Sequence, residues 1–180
     1  MLALMLATSV SGYAQHLVGA DDVGNDPRSV AVNPVTNRVY VANFQDGTVS
    51  VFDGQTAQTI ITLAAGTNPQ AVAVNPLTNK IYVANNGSAN VTVIDGATNA
   101  VSTVATGGNP CALAVNPATN KIYVVNAGAN SVTVIDGATG SASSSVTVGV
   151  LPRAVAINPV TNKIYVTNTG DHSVSVIDGA

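Results

Sequence analysis

The sequence predicts an all-β fold assembled from stacked repeats, and three observations predict it. One phrase recurs four times, at 33–43, 75–85, 116–126 and 158–168, and its tyrosines Tyr40, Tyr82, Tyr123 and Tyr165 lie 42, 41 and 42 residues apart. A fixed period of this size marks a repeat architecture. Charged residues make up only 8% of the chain, against roughly 25% in ordinary soluble domains. Polarity comes instead from Asn, Thr, Ser and Gly, which favour turns and strand surfaces over helices. Finally, past the N-terminus no long run keeps a 3.6-residue apolar period, while short apolar runs bounded by turn residues fill the chain.

The elements follow in order. Residues 1–14 read as a signal peptide: Met1 to Ala7 is an apolar run and Gly12-Tyr13-Ala14 offers the small residues that a signal peptidase accepts. The run is too short to span a bilayer. No Lys or Arg precedes it, so the signal is either truncated or weak. Residues 15–26 sit where a fourth strand would end, just before the first repeat. The repeats occupy 27–68, 69–109, 110–151 and 152–180, the last with only three apolar runs.

Within the second repeat, Ala71–Val74, Lys80–Ala84, Val91–Ile94 and Ala100–Val104 are strands joined by tight turns, an antiparallel meander. Pro34, Pro76, Pro117 and Pro159 preset φ for a type I turn. The asparagines before them (Asn33, Asn75, Asn116 and Asn158) can bond back to the turn backbone. Asn37, Asn79, Asn120 and Asn162 fall where a short loop requires φ > 0. Asp-Gly at 53, 95, 136 and 178 is a further hairpin signal.

The strand pattern dictates packing. Ile81 and Val83 point one way, Tyr82 and Ala84 the other, and both sets are apolar. A sheet with one wet face would alternate polar with apolar, so these sheets need covering on both sides. A lone meander cannot do that, but blades stacked around an axis can. The sequence thus predicts a β-propeller of four-stranded antiparallel blades, about four of them present. A parallel solenoid fits less well, because hairpin turns force antiparallel neighbours. Either 15–26 closes a four-bladed ring, or the chain is a fragment of a larger propeller.

These residues carry a family resemblance. Tyr165-Val166-Thr167-Asn168 spells the tetrapeptide of the YVTN family of β-propeller repeats, and Tyr40-Val41-Ala42-Asn43, Tyr82-Val83-Ala84-Asn85 and Tyr123-Val124-Val125-Asn126 are its other copies. Val93-Ile94-Asp95 and Val134-Ile135-Asp136 resemble the companion motif. The resemblance covers 27–180. It implies a secreted, periplasmic or cell-surface propeller, often of seven blades, acting as a binding or structural module, with no shared catalytic set to transfer.

Candidate functional residues are those that break the repeat. The position after each blade-opening proline varies as Arg28, Gln70, Cys111 and Arg153, a ligand-binding set at the channel mouth. In a ring closed at four blades, Arg28 and Arg153 would be neighbours and could hold a carboxylate or phosphate. Phe44 is an exposed-aromatic candidate for a partner contact, and His172, beside Asp171, a polar one. The expected partner is a protein or a cell-envelope polymer, with homo-oligomers if the ring is open.

The net charge of −3 gives no footprint for nucleic acid. Glu is absent, His16 and His172 are the only histidines, and Cys111 is the only cysteine. No disulfide framework, zinc-ligand spacing or nucleophile motif emerges. The sequence therefore predicts no enzyme, metal or cofactor. Its rival reading is a small lactonase-like hydrolase or a piece of a larger propeller enzyme.

Overall fold

A computed structural model describes residues 22–179. Within them the chain is all strand and turn. The first sheet comprises β1 (Pro27–Asn33), β2 (Arg38–Asn43), β3 (Thr48–Asp53) and β4 (Thr59–Ala64). The second comprises β5 (Pro69–Asn75), β6 (Lys80–Asn85), β7 (Asn90–Asp95) and β8 (Val101–Ala105). The third comprises β9 (Pro110–Asn116), β10 (Lys121–Asn126), β11 (Ser131–Asp136) and β12 (Ser141–Thr147). The fourth has, among the described residues, only β13 (Pro152–Asn158), β14 (Lys163–Asn168) and β15 (Ser173–Asp178). Each sheet is an antiparallel meander with its strands in chain order, as predicted for a propeller blade.

Turn chemistry sets the registers. Asn33 Oδ1 accepts the Val35 and Thr36 N–H groups at 3.0 and 3.4 Å, and Asn75, Asn116 and Asn158 begin their turns the same way. Asn37, Asn79, Asn120 and Asn162 take φ of 53, 52, 53 and 51°, the left-handed region that Asn tolerates best after Gly. Asp53, Asp95 and Asp136 each use one carboxylate oxygen to cap two backbone N–H groups of the next turn. The glycines after these aspartates are not in the left-handed region. That conformation falls later in each turn, at Ala57, Asn99 and Gly140. Glycine is needed there for space instead. A Cβ on Gly54 would lie 2.8 Å from the Asn37 carbonyl oxygen, and Gly96, Gly137 and Gly179 lie just as close to Asn79, Asn120 and Asn162.

The core lies between blades. The forward face of the first blade (Tyr40, Ala42, Val49 and Val51) packs on the backward face of the second (Val72, Ile81, Val83 and Ile94). Tyr82, Ala84, Val91 and Val93 meet Ile122, Val124 and Ile135 in the same way. Tyr123, Val125, Val132 and Val134 meet Ile164 and Val166. Each Val or Ile side chain so withdrawn from water contributes roughly 1.5–3 kcal/mol. The first strands of successive blades line the axis, β1 packing on β5, β5 on β9 and β9 on β13.

Hydrogen bonds pin the same seams. Asn33 Nδ2 donates to Asn79 Oδ1 at 2.8 Å, Asn75 to Asn120 at 2.8 Å and Asn116 to Asn162 at 2.9 Å. One asparagine thus starts its own turn and clasps the next blade.

The arc does not close on itself among the described residues. β1 and β13 are not among the packed strand pairs. Most of the closing strand expected at 15–26, and the signal peptide expected at 1–14, lie outside the described residues. Of that strand, Gly24 to Asp26 instead form a loop into β1: Asp26 and Asn25 carbonyls accept the Phe44 and Gln45 N–H groups at 2.9 and 3.2 Å. The crossings into the second, third and fourth blades repeat these bonds, for example Asn86 N–H to Asn68 O at 2.9 Å.

Candidate functional site

The crossing loops and the turns between second and third strands gather at one end of the arc. They are held together by the backbone pairs just described, so this end is rigid in its frame and variable in its side chains. Arg28, Gln70, Cys111 and Arg153 all stand here, each second in its axis-lining strand.

The structure links two neighbouring pairs of them, Arg28 with Gln70 and Cys111 with the Arg153 strand. Arg28 Nη1 donates to Gln70 Oε1 at 3.0 Å. Its Nε and Nη2 donate to Asp26 Oδ2 at 3.1 and 2.8 Å. Its guanidinium also lies over the Phe44 ring, 3.4 Å from the centroid, a cation–π contact. Phe44 is therefore half-buried beneath Arg28 rather than freely exposed, which corrects the expectation of a bare aromatic. Cys111 is also half-buried, its Sγ 3.5 Å from the Pro152 carbonyl oxygen. Burial pushes its thiol above the usual range, although the nearby Arg153 charge pulls the other way.

Arg153 is exposed at the open end of the arc. It and Arg28 belong to blades that do not pack on one another, so the two-arginine clamp, conditional on a ring of four, is not assembled within one chain. His172 is exposed and holds a turn at φ 53°. Its neighbour Asp171 accepts the Ser173 hydroxyl at 2.8 Å and the Val150 N–H at 3.1 Å. These bonds, the Ser173 hydroxyl first, hold the Asp171 carboxyl below the ordinary range. His172 and Asp171 are turn residues before they are anything else.

Between blades the same end opens into shallow grooves. One of about 510 Å³ lies between the first and second blades, lined by Gln45, Asp46, Thr67, Asn68, Ser88 and Asn90 among others. Another of about 400 Å³ lies between the second and third, lined by Thr106, Thr133, Ser143 and Ser145 with small neighbours. The linings are amides and hydroxyls with little charge. No group of three or more metal-ligating side chains occurs among the described residues.

Sequence reasoning missed one set here. Asn43, Asn85, Asn126 and Asn168, the last letter of each tetrapeptide, are buried. Each donates its amide to two groups on the third strand, as Asn43 does to Thr48 Oγ1 at 3.0 Å and Ser50 Oγ at 2.9 Å. The signal was legible: Asn at the end of an apolar strand, with hydroxyls or Asn five and seven residues on, in every copy.

No family model matches the chain. A stretch of 42 residues, 23% of the chain, is 55% identical to the PE-PGRS family protein PE_PGRS18 of Mycobacterium tuberculosis and covers 9% of that protein. Among solved structures, a chain of Kuenenia stuttgartiensis hydrazine synthase superposes with a TM-score of 0.79 at 26% identity, over 93% of this chain and 49% of that one. A functionally unknown protein from Desulfotomaculum acetoxidans superposes with a TM-score of 0.68 at 14% identity, over 84% and 55% respectively. The chain thus spans about half the length of both. These likenesses, with the four meanders around an axis, define the class as a β-propeller-type repeat fold.

Proposed function

We propose that this chain is a β-propeller binding module of the cell surface or exterior, of the YVTN kind, that holds its partner at the loop-bearing end. The observation that carries this reading is the contrast at that end. A frame repeated four times presents side chains that vary around the arc, with the Arg28–Phe44 stack standing beside grooves lined by amides and hydroxyls. Such linings match a hydroxyl-rich cell-envelope polymer through many weak hydrogen bonds, while a cation over an aromatic ring supplies an anchor. A protein with a polar face is the other partner this chemistry suits.

Co-sedimentation of the full chain with isolated cell-envelope polysaccharide tests it. The double variant Arg28→Ala with Phe44→Ala is expected to bind about tenfold more weakly, equivalent to about 1.4 kcal/mol, with the wild-type circular dichroism spectrum. Equal retention of variant and wild type would place the contact elsewhere and defeat the proposal.

A second reading draws on the likeness to the hydrazine synthase chain: this chain as part of a larger propeller enzyme. Metal content and a lactone and ester turnover screen test it. Stoichiometric metal or turnover would favour the enzyme.

A further inference from the structure

The two grooves at the loop-bearing end are copies of one another. Aligned by the repeat, Ala65 and Gly66 of the first are Thr106 and Gly107 of the second, and both pairs line their grooves. Thr103 lines the first from the outermost strand of the second blade, and Ser145 lines the second from the outermost strand of the third. These two hold one register position, Thr103 opposite Thr92 and Ser145 opposite Thr133. The cause of the groove repeats as well. A Cβ on Gly66 would lie 2.8 Å from Asn85 Cγ, and one on Gly107 would lie 2.9 Å from Asn126 Cγ. Glycine thus lets each crossing loop press on the buried asparagine of the blade it enters, and the end of that blade's outermost strand stands clear beside the loop.

We propose that each groove is a subsite for one stretch of a linear, uncharged glycan that runs along the rim from seam to seam. The proposal rests on the reading above that the partner is an envelope polymer, and gives that polymer its charge and its path.

The linings select the ligand. No Lys or Arg lines either groove, and the first holds the Asp46 carboxylate. A phosphate- or carboxylate-bearing polymer would meet no cation there and one like charge. Ala is the largest apolar side chain in either lining, so a peptide finds no pocket for an apolar anchor. The Gln45 amide and the Thr67, Thr103 and Ser145 hydroxyls make no hydrogen bond to the described protein. Sugar hydroxyls both donate and accept, and so satisfy amides and hydroxyls alike.

Repetition supplies the strength. Each such bond is weak net of water. Once one groove is filled, the next engages within the same complex, and linkage of this kind raises avidity by about 10²–10⁴-fold. The path is continuous with the anchor. Gln45 follows Phe44 in the chain, and Asn68, which lines the first groove, donates its Nδ2 to the Phe44 carbonyl oxygen at 3.3 Å.

The test is NMR of the full 18.0 kDa chain with isolated cell-envelope polysaccharide, separated by anion exchange into neutral and acidic fractions. The neutral fraction is used whole and as short hydrolysis fragments. Fragments are expected to shift the amide signals of Gly66 and Asn90 in the first groove and of Gly107 and Thr133 in the second. Gln45→Ala with Thr103→Ala is expected to still the first set alone, and Thr106→Val with Ser145→Ala the second alone, each with the wild-type circular dichroism spectrum. Whole neutral polymer is expected to bind about a hundredfold more tightly than its fragments, and either variant to lower that affinity about tenfold. The acidic fraction is expected to leave both sets unmoved. Shifts from the acidic fraction, neutral-fragment shifts confined to residues outside the grooves, variants that leave both sets moving, or a whole polymer no tighter than its fragments would each overturn this proposal while an envelope-polymer partner stands. No binding of any fraction overturns both.

Discussion

Gly137→Ala tests whether the glycine after each repeat's Asp is there for room. Built on the backbone, a Cβ at Gly137 lies 2.7 Å from both the Asn120 carbonyl oxygen and its Cγ, and closer still to its Oδ1. The carbonyl cannot move freely, because it accepts the Gly137 N–H at 2.8 Å. The side chain cannot move freely either, because Oδ1 accepts Asn75 Nδ2 across the seam at 2.8 Å. Overfilling a packed site costs about 1–3 kcal/mol. Losing the inter-blade hydrogen bond adds about 1 kcal/mol. The expected cost is then about 2–4 kcal/mol, the sum of those two contributions.

The assay is urea unfolding, with the midpoint falling and the slope unchanged. Asn120→Gly keeps the left-handed turn without its side chain, so in that background the penalty of Gly137→Ala should fall by about half, leaving the carbonyl clash. Gly108→Ala serves as control: its Cβ would meet nothing within 4 Å, and the change is expected to be neutral or stabilising by up to about 1 kcal/mol. A Gly137→Ala midpoint equal to wild type, or an equal penalty with and without the Asn120 side chain, would refute the reasoning.

Two further predictions concern turns. Ala89 holds φ 49° where the other copies have Gly47, Asn130 and His172. Ala89→Gly should relieve about 1–2 kcal/mol of strain and return about 0.4–1 kcal/mol in unfolded-chain entropy. A rise in melting temperature of roughly 2–4 °C is expected by calorimetry, and a fall would contradict the strain. The Asp95 carboxyl is held below its usual range by the Thr98 and Ala97 N–H groups, in that order, and by the Thr98 hydroxyl. Its folded value lies under the unfolded one. The stability it lends is thus complete above the unfolded value near pH 3.9 and is lost as pH falls through the folded value. Asp95→Asn keeps an oxygen for those N–H groups and removes the titration. Its urea midpoint should therefore fall less steeply below about pH 4 than wild type, whereas parallel acid limbs would rule the turn carboxylate out.

The blade was legible in the sequence because its causes are local. Period, prolines, left-handed asparagines and two apolar faces each announce themselves within a few residues. The seams were not. Asn33 was read as turn chemistry, and it is, but its amide also reaches Asn79, 46 residues away, which no local pattern reveals. Tyr123 and Tyr165 sit in nearly the same words, yet one is buried and the other is not. What differs is whether another blade packs against it among the described residues. Phe44 was read as an exposed aromatic in a turn that breaks the repeat, and only the fold brings Arg28 across it. At the loop-bearing end the sequence picked out the variable positions but not their partners, since those lie a whole repeat away.

Because blades touch only the blades beside them, resistance to opening should grade along the chain rather than be shared equally. Among the described residues β6 and β10 are flanked on both sides, while β14 is flanked on one. Amide protons of β14 should therefore exchange with solvent ahead of those of β6 and β10, with unzipping advancing inward from the fourth blade.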